Sequence, residues 1–301
     1  MITTDVAVVG GGPAGVAAAI TLARAGRDVV LVDRARFPRD KCCGDGLTAG
    51  ALRRYQALGL EPSDVASWHV VDDVMVRSPS GRTVRFPLPR GSGIYAAVAP
   101  RSELDAAFLN VARRAGVMVH EGTALVGADV GERWASIDVD GLGTVAAHYL
   151  IGADGMWSPL RKAMGADDEA GYLGEWHAFR QYVSGVGPAA RDLWVWFDAD
   201  FLPGFAWSFP LPGGRANVGF GVHRRTGAKV RGVDLLARPH IAEVLGPAAL
   251  AEGPFKAWPI PARVERSPLS AGDGRVLFVG DAARATDPMT GEGIGQALET
   301  G

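Results

Sequence analysis

Residues 5 to 34, DVAVVGGGPAGVAAAITLARAGRDVVLVDR, constrain this chain more than any other stretch. A β-branched run from Val6 to Val9 enters the glycine turn Gly10-x-Gly12-x-x-Gly15. An alanine-rich helical segment follows and stops at Gly26, and a second apolar strand from Val29 to Val32 ends in Asp33. In this order Gly10 permits a tight turn, Gly12 with Pro13 and Ala14 brings backbone up to a pyrophosphate, and Gly15 lets helix pack on strand. The helix N-terminus, with free N–H groups and a positive dipole end, favours an anion there. Asp33 stands where an acid accepts hydrogen bonds from a ribose hydroxyl. The turn predicts a dinucleotide and leaves NAD and FAD open.

The rest of the composition narrows the class. The chain has 301 residues, 48% of them hydrophobic and 21% charged, which predicts a soluble globular protein of about two domains. A net charge of −2 offers no basic field for nucleic acid. The two cysteines, Cys42 and Cys43, are adjacent and have no other partner, so a disulfide framework is excluded. The six histidines are scattered without ligand spacing, and no metal site is expected. The first strand begins too early to leave room for a signal peptide, and no apolar run spans a bilayer, which predicts a cytoplasmic protein.

Further along, residues 35 to 50 read as a loop around Pro38, followed by a short helix from Ala49 to Leu58. Val70 to Val76 and Thr83 to Leu88 predict a hairpin across Ser78-Pro79-Ser80-Gly81. Residues 100 to 115 form the clearest amphipathic helix, with Leu104, Phe108 and Val111 or Ala112 on one face and Ser102 with Asp105 suggesting a capping box. A strand follows from Val117 to His120, then further strands over 122 to 150. From about residue 172 tryptophans, prolines and alternating stretches dominate. Phe205 to Pro210 and Ala216 to Val222 predict strands joined by Pro212-Gly213-Gly214, with a helix around Val233 to Leu245. Arg275 to Val279 returns as a buried strand.

Two later motifs choose the cofactor. Tyr149 to Gly165 is a strand, an Asp154-Gly155 turn and a helix start at Ser158 and Arg161. Arg275 to Gly295 is a strand ending in Gly280-Asp281, then a glycine-rich helix entrance containing Pro288, Gly291, Gly293 and Ile294. Asp281 can accept hydrogen bonds from a ribityl chain. The helix opening at Gly291 to Gly295 would aim N–H groups at a carbonyl or developing anion, which suits a reduced flavin. Together the three motifs predict FAD.

With these motifs in view, the chain resembles the geranylgeranyl reductase family of FAD-dependent oxidoreductases, which shares its fold with aromatic-hydroxylase flavoproteins. The specific segments are KCCGDGL, Lys41 to Leu47, and FAWSFPLPGGRANVGFGV, Phe205 to Val222. The resemblance implies an α/β fold: a doubly wound, Rossmann-like FAD domain with an inserted, mainly antiparallel β substrate domain. The expected division gives residues 1–68, 97–170 and 268–301 to the FAD domain and 69–96 and 171–267 to the substrate domain. The chain ends inside an expected helix, so a C-terminal truncation is expected. By the same resemblance Gly12, Ala14, Asp33, Arg34, Cys43, Gly44, Arg101, Asp281 and Gly293 touch FAD or lie beside it.

The resemblance implies reduction of carbon–carbon double bonds in prenyl chains, such as geranylgeranyl lipids or a menaquinone tail. Electrons would come from transiently bound NAD(P)H or a reduced ferredoxin-like protein, and the missing C-terminal part would touch the inner face of a membrane. Cys43, Trp207 and Phe205 are the catalytic candidates. A thiol at Cys43 could donate a proton, or the residue could simply be small enough for a turn. Phe205, Trp207 and Phe209 share a face that could line an apolar tunnel or fill the core. Many family members carry tyrosine where Phe205 stands, so the protonation step lacks that hydroxyl. Arg101 fits a cofactor contact and a surface helix-start arginine equally. The rival readings are an FAD-dependent monooxygenase or halogenase of an aromatic substrate, and an FAD-binding module without turnover of its own.

Overall fold

The computed structural model describes residues 1–91, 93–166, 171–224 and 232–301. The parts of the expected domain spans that fall on 92, 167–170 and 225–231 lie outside the described residues. Two large sheets and one small one carry the fold. The first is eight-stranded, and its strands β1 (Ile2–Val9), β2 (Val29–Asp33), β8 (Met118–Glu121), β11 (Gly143–Gly152) and β18 (Val276–Phe278) run parallel. Their order is β18-β11-β1-β2-β8, so the strand order reverses between β1 and β11. The antiparallel members are β9 (Leu125–Val130), β10 (Ala135–Val139) and β17 (Ser270–Ala271).

The continuous apolar runs of β1 and β2 are explained by burial on both faces. Val6, Val8, Val29 and Leu31 face a core built with the helices α1 (Pro13–Arg24), α2 (Ala49–Ala57), α3 (Arg101–Arg114) and α7 (Ile294–Thr300). Ala7, Val9, Val30 and Val32 face the opposite core, with β10, β11 and the short helix α4 (Pro159–Ala163). No helix among the described residues is long and apolar enough to cross a membrane.

The second sheet is seven-stranded, in the order β16-β12-β15-β14-β13-β5-β6. Its strands are β5 (Asp73–Arg77), β6 (Thr83–Pro87), β12 (Trp176–Ser184), β13 (Leu193–Trp196), β14 (Phe205–Leu211), β15 (Arg215–His223) and β16 (Leu250–Ile260). One face packs on α5 (Gly232–Leu236) and α6 (Pro239–Leu245) through Trp196, Phe201, Val218, Phe220, Ile241 and Leu245. The other face meets the loop that follows β2. A three-stranded sheet of β3 (Gly46–Thr48), β4 (His69–Val70) and β7 (Ala96–Val98) lies beside that loop.

The α/β class, the parallel sheet and the antiparallel second sheet agree with the expectation, and several local details do not. The stretch 35–50 is not all loop, because Gly46–Thr48 pairs with Ala96–Val98. The run from Val70 to Val76 is two strands in different sheets, β4 and β5. Ser102 and Asp105 form no capping box: Pro100 is the N-cap, and Asp105 pairs with Arg101 one turn away. The helix expected over 233–245 is split, since Pro239 lacks the N–H that would continue it and opens α6 instead. Edge strand β16 was not expected, because Gly253, Pro254 and Pro259 hide its pattern.

Candidate FAD site and reacting end

The register places the loop-bearing ends of adjacent strands side by side. Val9 pairs with Gly152 and with Val32, and Gly152 pairs with Phe278. The loops carrying Gly10, Asp33, Asp154 and Asp281 therefore leave the same edge, at the point where strand order reverses. That edge is where ligands bind in open α/β sheets. Gly10 has φ +110°, and a side chain there would collide with the Ala153 carbonyl, so the first and second motifs interlock through bare backbone. Gly280, just before Asp281, packs on Ala14 of α1.

The start of α1 is the candidate cradle for a pyrophosphate. Gly12 is its N-cap with no side-chain cap, and Pro13 occupies the first turn, where helix N–H groups lack intrahelical partners. A Cβ at Gly12 would meet only the Arg39 guanidinium, 3.8 Å away. Arg39 is paired with Asp105 at 3.0 Å, and Asp105 also takes two hydrogen bonds of 2.8 Å from buried Arg101. The two arginines outweigh the single carboxylate, leaving net positive charge beside free helix N–H groups. These residues fit the diphosphate of FAD. Arg101 is not a surface residue; burial would depress its guanidinium, but Asp105 holds it well above its ordinary value.

Asp33 ties β2 to the glycine turn, one oxygen accepting from the Gly11 N–H at 2.6 Å and the other from Ala35 N–H at 2.7 Å. Each carboxylate oxygen keeps a second lone pair for a ribose hydroxyl. Arg34 is exposed beside it. Asp154 serves its own helix: it accepts from the Ser158 hydroxyl at 2.6 Å and the Leu160 N–H at 2.8 Å, which caps α4. Its neighbourhood, rather than its side chain, faces the glycine turn. Asp281 is half-buried, 3.4 Å from the Thr286 hydroxyl, and faces Lys41, whose ammonium burial pushes down while Asp281 pulls it up.

The entrance to α7 differs in one respect from the expectation. Gly293 is its N-cap and Ile294 its buried first residue, but the Gly295 N–H is taken by the Glu292 carboxylate at 2.6 Å. Burial raises the pKa of Glu292. Gly291 lies against Ile260 at φ +71°, and the exposed Pro288 offers its carbonyl to the indole N–H of Trp176 at 3.0 Å. The third motif is thereby fastened to the second sheet.

The loop after Asp33 ends against the hairpin of β14 and β15. Phe205, Trp207 and Phe209 form a ladder, with ring centroids 6.0 and 5.9 Å apart. Across from them stand Gly221, Gly219 and Asn217. A side chain on Gly219 would enter the Trp207 ring, so the alternating glycines of NVGFG make room for the aromatic ladder. At Gly44 an added Cβ would reach Phe209 at 3.2 Å and Trp207 at 3.4 Å, placing the Cys43 loop on this face. Phe205 is the next ring along.

A buried polar network joins the two segments. Asp45, fully buried and at φ +65°, accepts hydrogen bonds from Tyr182 Oη at 2.7 Å, Asn217 Nδ2 at 2.8 Å and the Arg101 N–H at 3.2 Å. Asn217 also donates to the Cys43 carbonyl at 2.8 Å and accepts from Trp207 Nε1 at 3.1 Å. Burial pushes the Asp45 carboxyl up to about 6, the Tyr182 bond opposing it. Burial likewise raises the Cys43 thiol and favours its protonated form, against the opposing pull of Arg101. Cys42 points away, its thiol donating to the Lys256 carbonyl at 3.4 Å and pushed up to about 11 by burial.

Arg39, Lys41, Asp45, Tyr182 and Asn217 were not singled out from sequence. Asn217 had a signal: it is a lone amide inside an otherwise apolar strand, which predicts a buried partner. The others had none beyond their residue type.

Residues 3–198 match the FAD binding domain family. The chain is 35% identical over 330 residues to the menaquinone reductase of Mycolicibacterium smegmatis, spanning 99% of this chain and 74% of that protein. It is 31% identical over 310 residues to digeranylgeranylglycerophospholipid reductase 2 of Methanopyrus kandleri, again across 99% and 74% of the two chains. The crystal structure of a geranylgeranyl bacteriochlorophyll reductase-like protein from Thermoplasma acidophilum shares the fold, with TM-score 0.81 and 23% identity over 99% of this chain and 76% of that one. This chain belongs to the geranylgeranyl reductase family of FAD-dependent oxidoreductases.

Proposed function

We propose that this protein is an FAD-dependent reductase that hydrogenates carbon–carbon double bonds of isoprenoid chains, of geranylgeranyl type or in a menaquinone tail. The observation that carries the reading is the joining of the Cys43 loop to the aromatic hairpin through Asp45 and Asn217. Those two segments carry the specific part of the resemblance to the prenyl reductases, and the relatives named as menaquinone and digeranylgeranylglycerophospholipid reductases support it. The reading divides the chain as expected from sequence, with residues 69–96 and 171–267 holding the substrate.

In this reading the α1 N-terminus, Arg39 and Arg101 bind the diphosphate, Asp33 the ribose and Asp281 the ribityl chain. Pro288, Gly291, Gly293 and Ile294 border the ring system. Reduced FAD supplies the hydride. Cys43, held as a neutral thiol by burial, keeps a proton beside the reacting space. Trp207, with Phe205 and Phe209, provides an apolar wall that excludes water and holds a polyprenyl chain by area rather than by polar bonds. NAD(P)H or a reduced ferredoxin-like protein delivers the electrons, and the lipid is presented at the inner face of a membrane.

Mass spectrometry of a geranylgeranyl lipid after incubation with the FAD-loaded protein and excess reductant tests the proposal. Products heavier by pairs of hydrogen atoms support it. Unchanged lipid, together with oxygen-dependent NAD(P)H consumption stimulated by an aromatic compound, would replace it with the monooxygenase or halogenase reading.

A further inference from the structure

Asp45 is an unusual residue to find where it lies. A carboxylate is costly to bury, and a non-glycine residue at φ +65° is costly to hold, yet both costs fall on the same position. Strain of this kind persists only where the surroundings over-determine it, and it concentrates at functional sites. The surroundings here are fully specified. Tyr182 and Arg180 reach Asp45 from β12, Asn217 from β15, and the Arg101 amide from the start of α3. On its own loop the Asp45 N–H lies 3.4 Å from the Cys43 sulfur.

We propose that Asp45 is the positioning residue of the reacting end: its ionised carboxylate, gripped by Tyr182 and Asn217, sets the Cys43 loop and the Trp207 ring in their working register. The inference deepens the function proposed above and rests on its placement of Cys43 and Trp207 beside the flavin. The coupling is short and physical. Asn217 spends one amide hydrogen on Asp45 and the other on the Cys43 carbonyl, while its own carbonyl receives the Trp207 indole. Protonating Asp45 removes an acceptor lone pair from this arrangement, and Asn217 then has reason to turn, releasing the loop and the indole together.

Tyr182 is the part of the network that reaches outward. It is half-buried, and the guanidinium groups of Arg180 and Arg215 lie over its ring at 4.3 and 5.4 Å. Its hydroxyl donates inward to Asp45, so it connects the buried acid to the domain surface and favours the ionised form.

The test is a pH titration of the FAD-loaded protein between pH about 5 and 8, a window bracketing the raised Asp45 value. It reads Trp207 emission, isolated by subtracting a Trp207→Phe variant, and flavin emission. The wild type is expected to give a transition near pH about 6 in both signals. Asp45→Asn, which tolerates the left-handed backbone, is expected to lose it. Tyr182→Phe is expected to move the midpoint upward, because the bond that favours the carboxylate is gone. A transition that survives Asp45→Asn, or a midpoint unmoved in Tyr182→Phe, overturns the proposal. Should Asp45→Asn fail to fold, the midpoint of Tyr182→Phe decides alone. None of these signals depends on turnover of a prenyl lipid, so a failure of the proposed reaction is distinguishable from a failure of the positioning role.

Discussion

At Asp45 the balance of burial against hydrogen bonding has a consequence for stability. Its carboxyl lies at about 6 in the fold against an ordinary 3.8, with burial the largest cause. The folded state therefore binds a proton more tightly than the unfolded chain. The group's contribution is fully present below the unfolded value and is lost as pH rises through about 6. A gap of about two pH units corresponds to about 3 kcal/mol. Thermal denaturation of Asp45→Asn from pH about 4.5 to 7.5 should show the variant gaining on the wild type as pH rises. A pH-independent difference would contradict the assignment. At Gly219, Trp207 and the Phe179 backbone leave no room for a side chain. Gly219→Val should displace the indole and cost about 1–3 kcal/mol or more, visible as a lower unfolding midpoint and altered tryptophan emission.

At the scale of elements, the start of α1 and the cap of α4 do different work although both follow strands of the same sheet. Arg39 stands over the α1 N-terminus, and its loss should weaken FAD binding by about tenfold, on the basis of ~1.5 kcal/mol for a charge-assisted contact. Flavin retention on dialysis at rising salt would measure it. Asp154 supports the α4 N-terminus, one oxygen accepting from the Leu160 N–H and the other from the hydroxyl of the N-cap Ser158, so Asp154→Ala should cost about 1–2 kcal/mol in chemical denaturation. The elements also explain what sequence could supply. The β1–α1–β2 unit is legible because its contacts are local: Gly11 and Asp33 are 22 positions apart, across one helix. The Asp45 network was not, because its donors Tyr182 and Asn217 lie 137 and 172 positions away. A Cys-Gly-Asp-Gly stretch reads locally as a turn. Ser102 and Asp105 mimicked a capping box for the same reason, a local pattern overruled by the stronger Arg101 pair.

On the scale of the molecule, the two large sheets would contribute separate halves of the proposed site. The parallel sheet gathers Gly10, Asp33 and Asp281 at its switch edge, and the antiparallel sheet offers the Phe205–Trp207–Phe209 face. Between them runs a single segment, residues 34–45, pinned at one end by Asp33 and at the other by Asp45. Arg180 and Lys256 of the second sheet both hold Asp40 of this segment. The fold class was legible from the order of motifs, whereas this pinning required knowing which face of the second sheet points inward.

Anaerobic mixing of the photoreduced, FAD-loaded protein with a geranylgeranyl lipid tests hydride transfer to a prenyl double bond. Reoxidation of the flavin, matched by a gain of two hydrogen atoms per turnover in the lipid, is the expected result. Flavin that stays reduced, with lipid of unchanged mass, would contradict it.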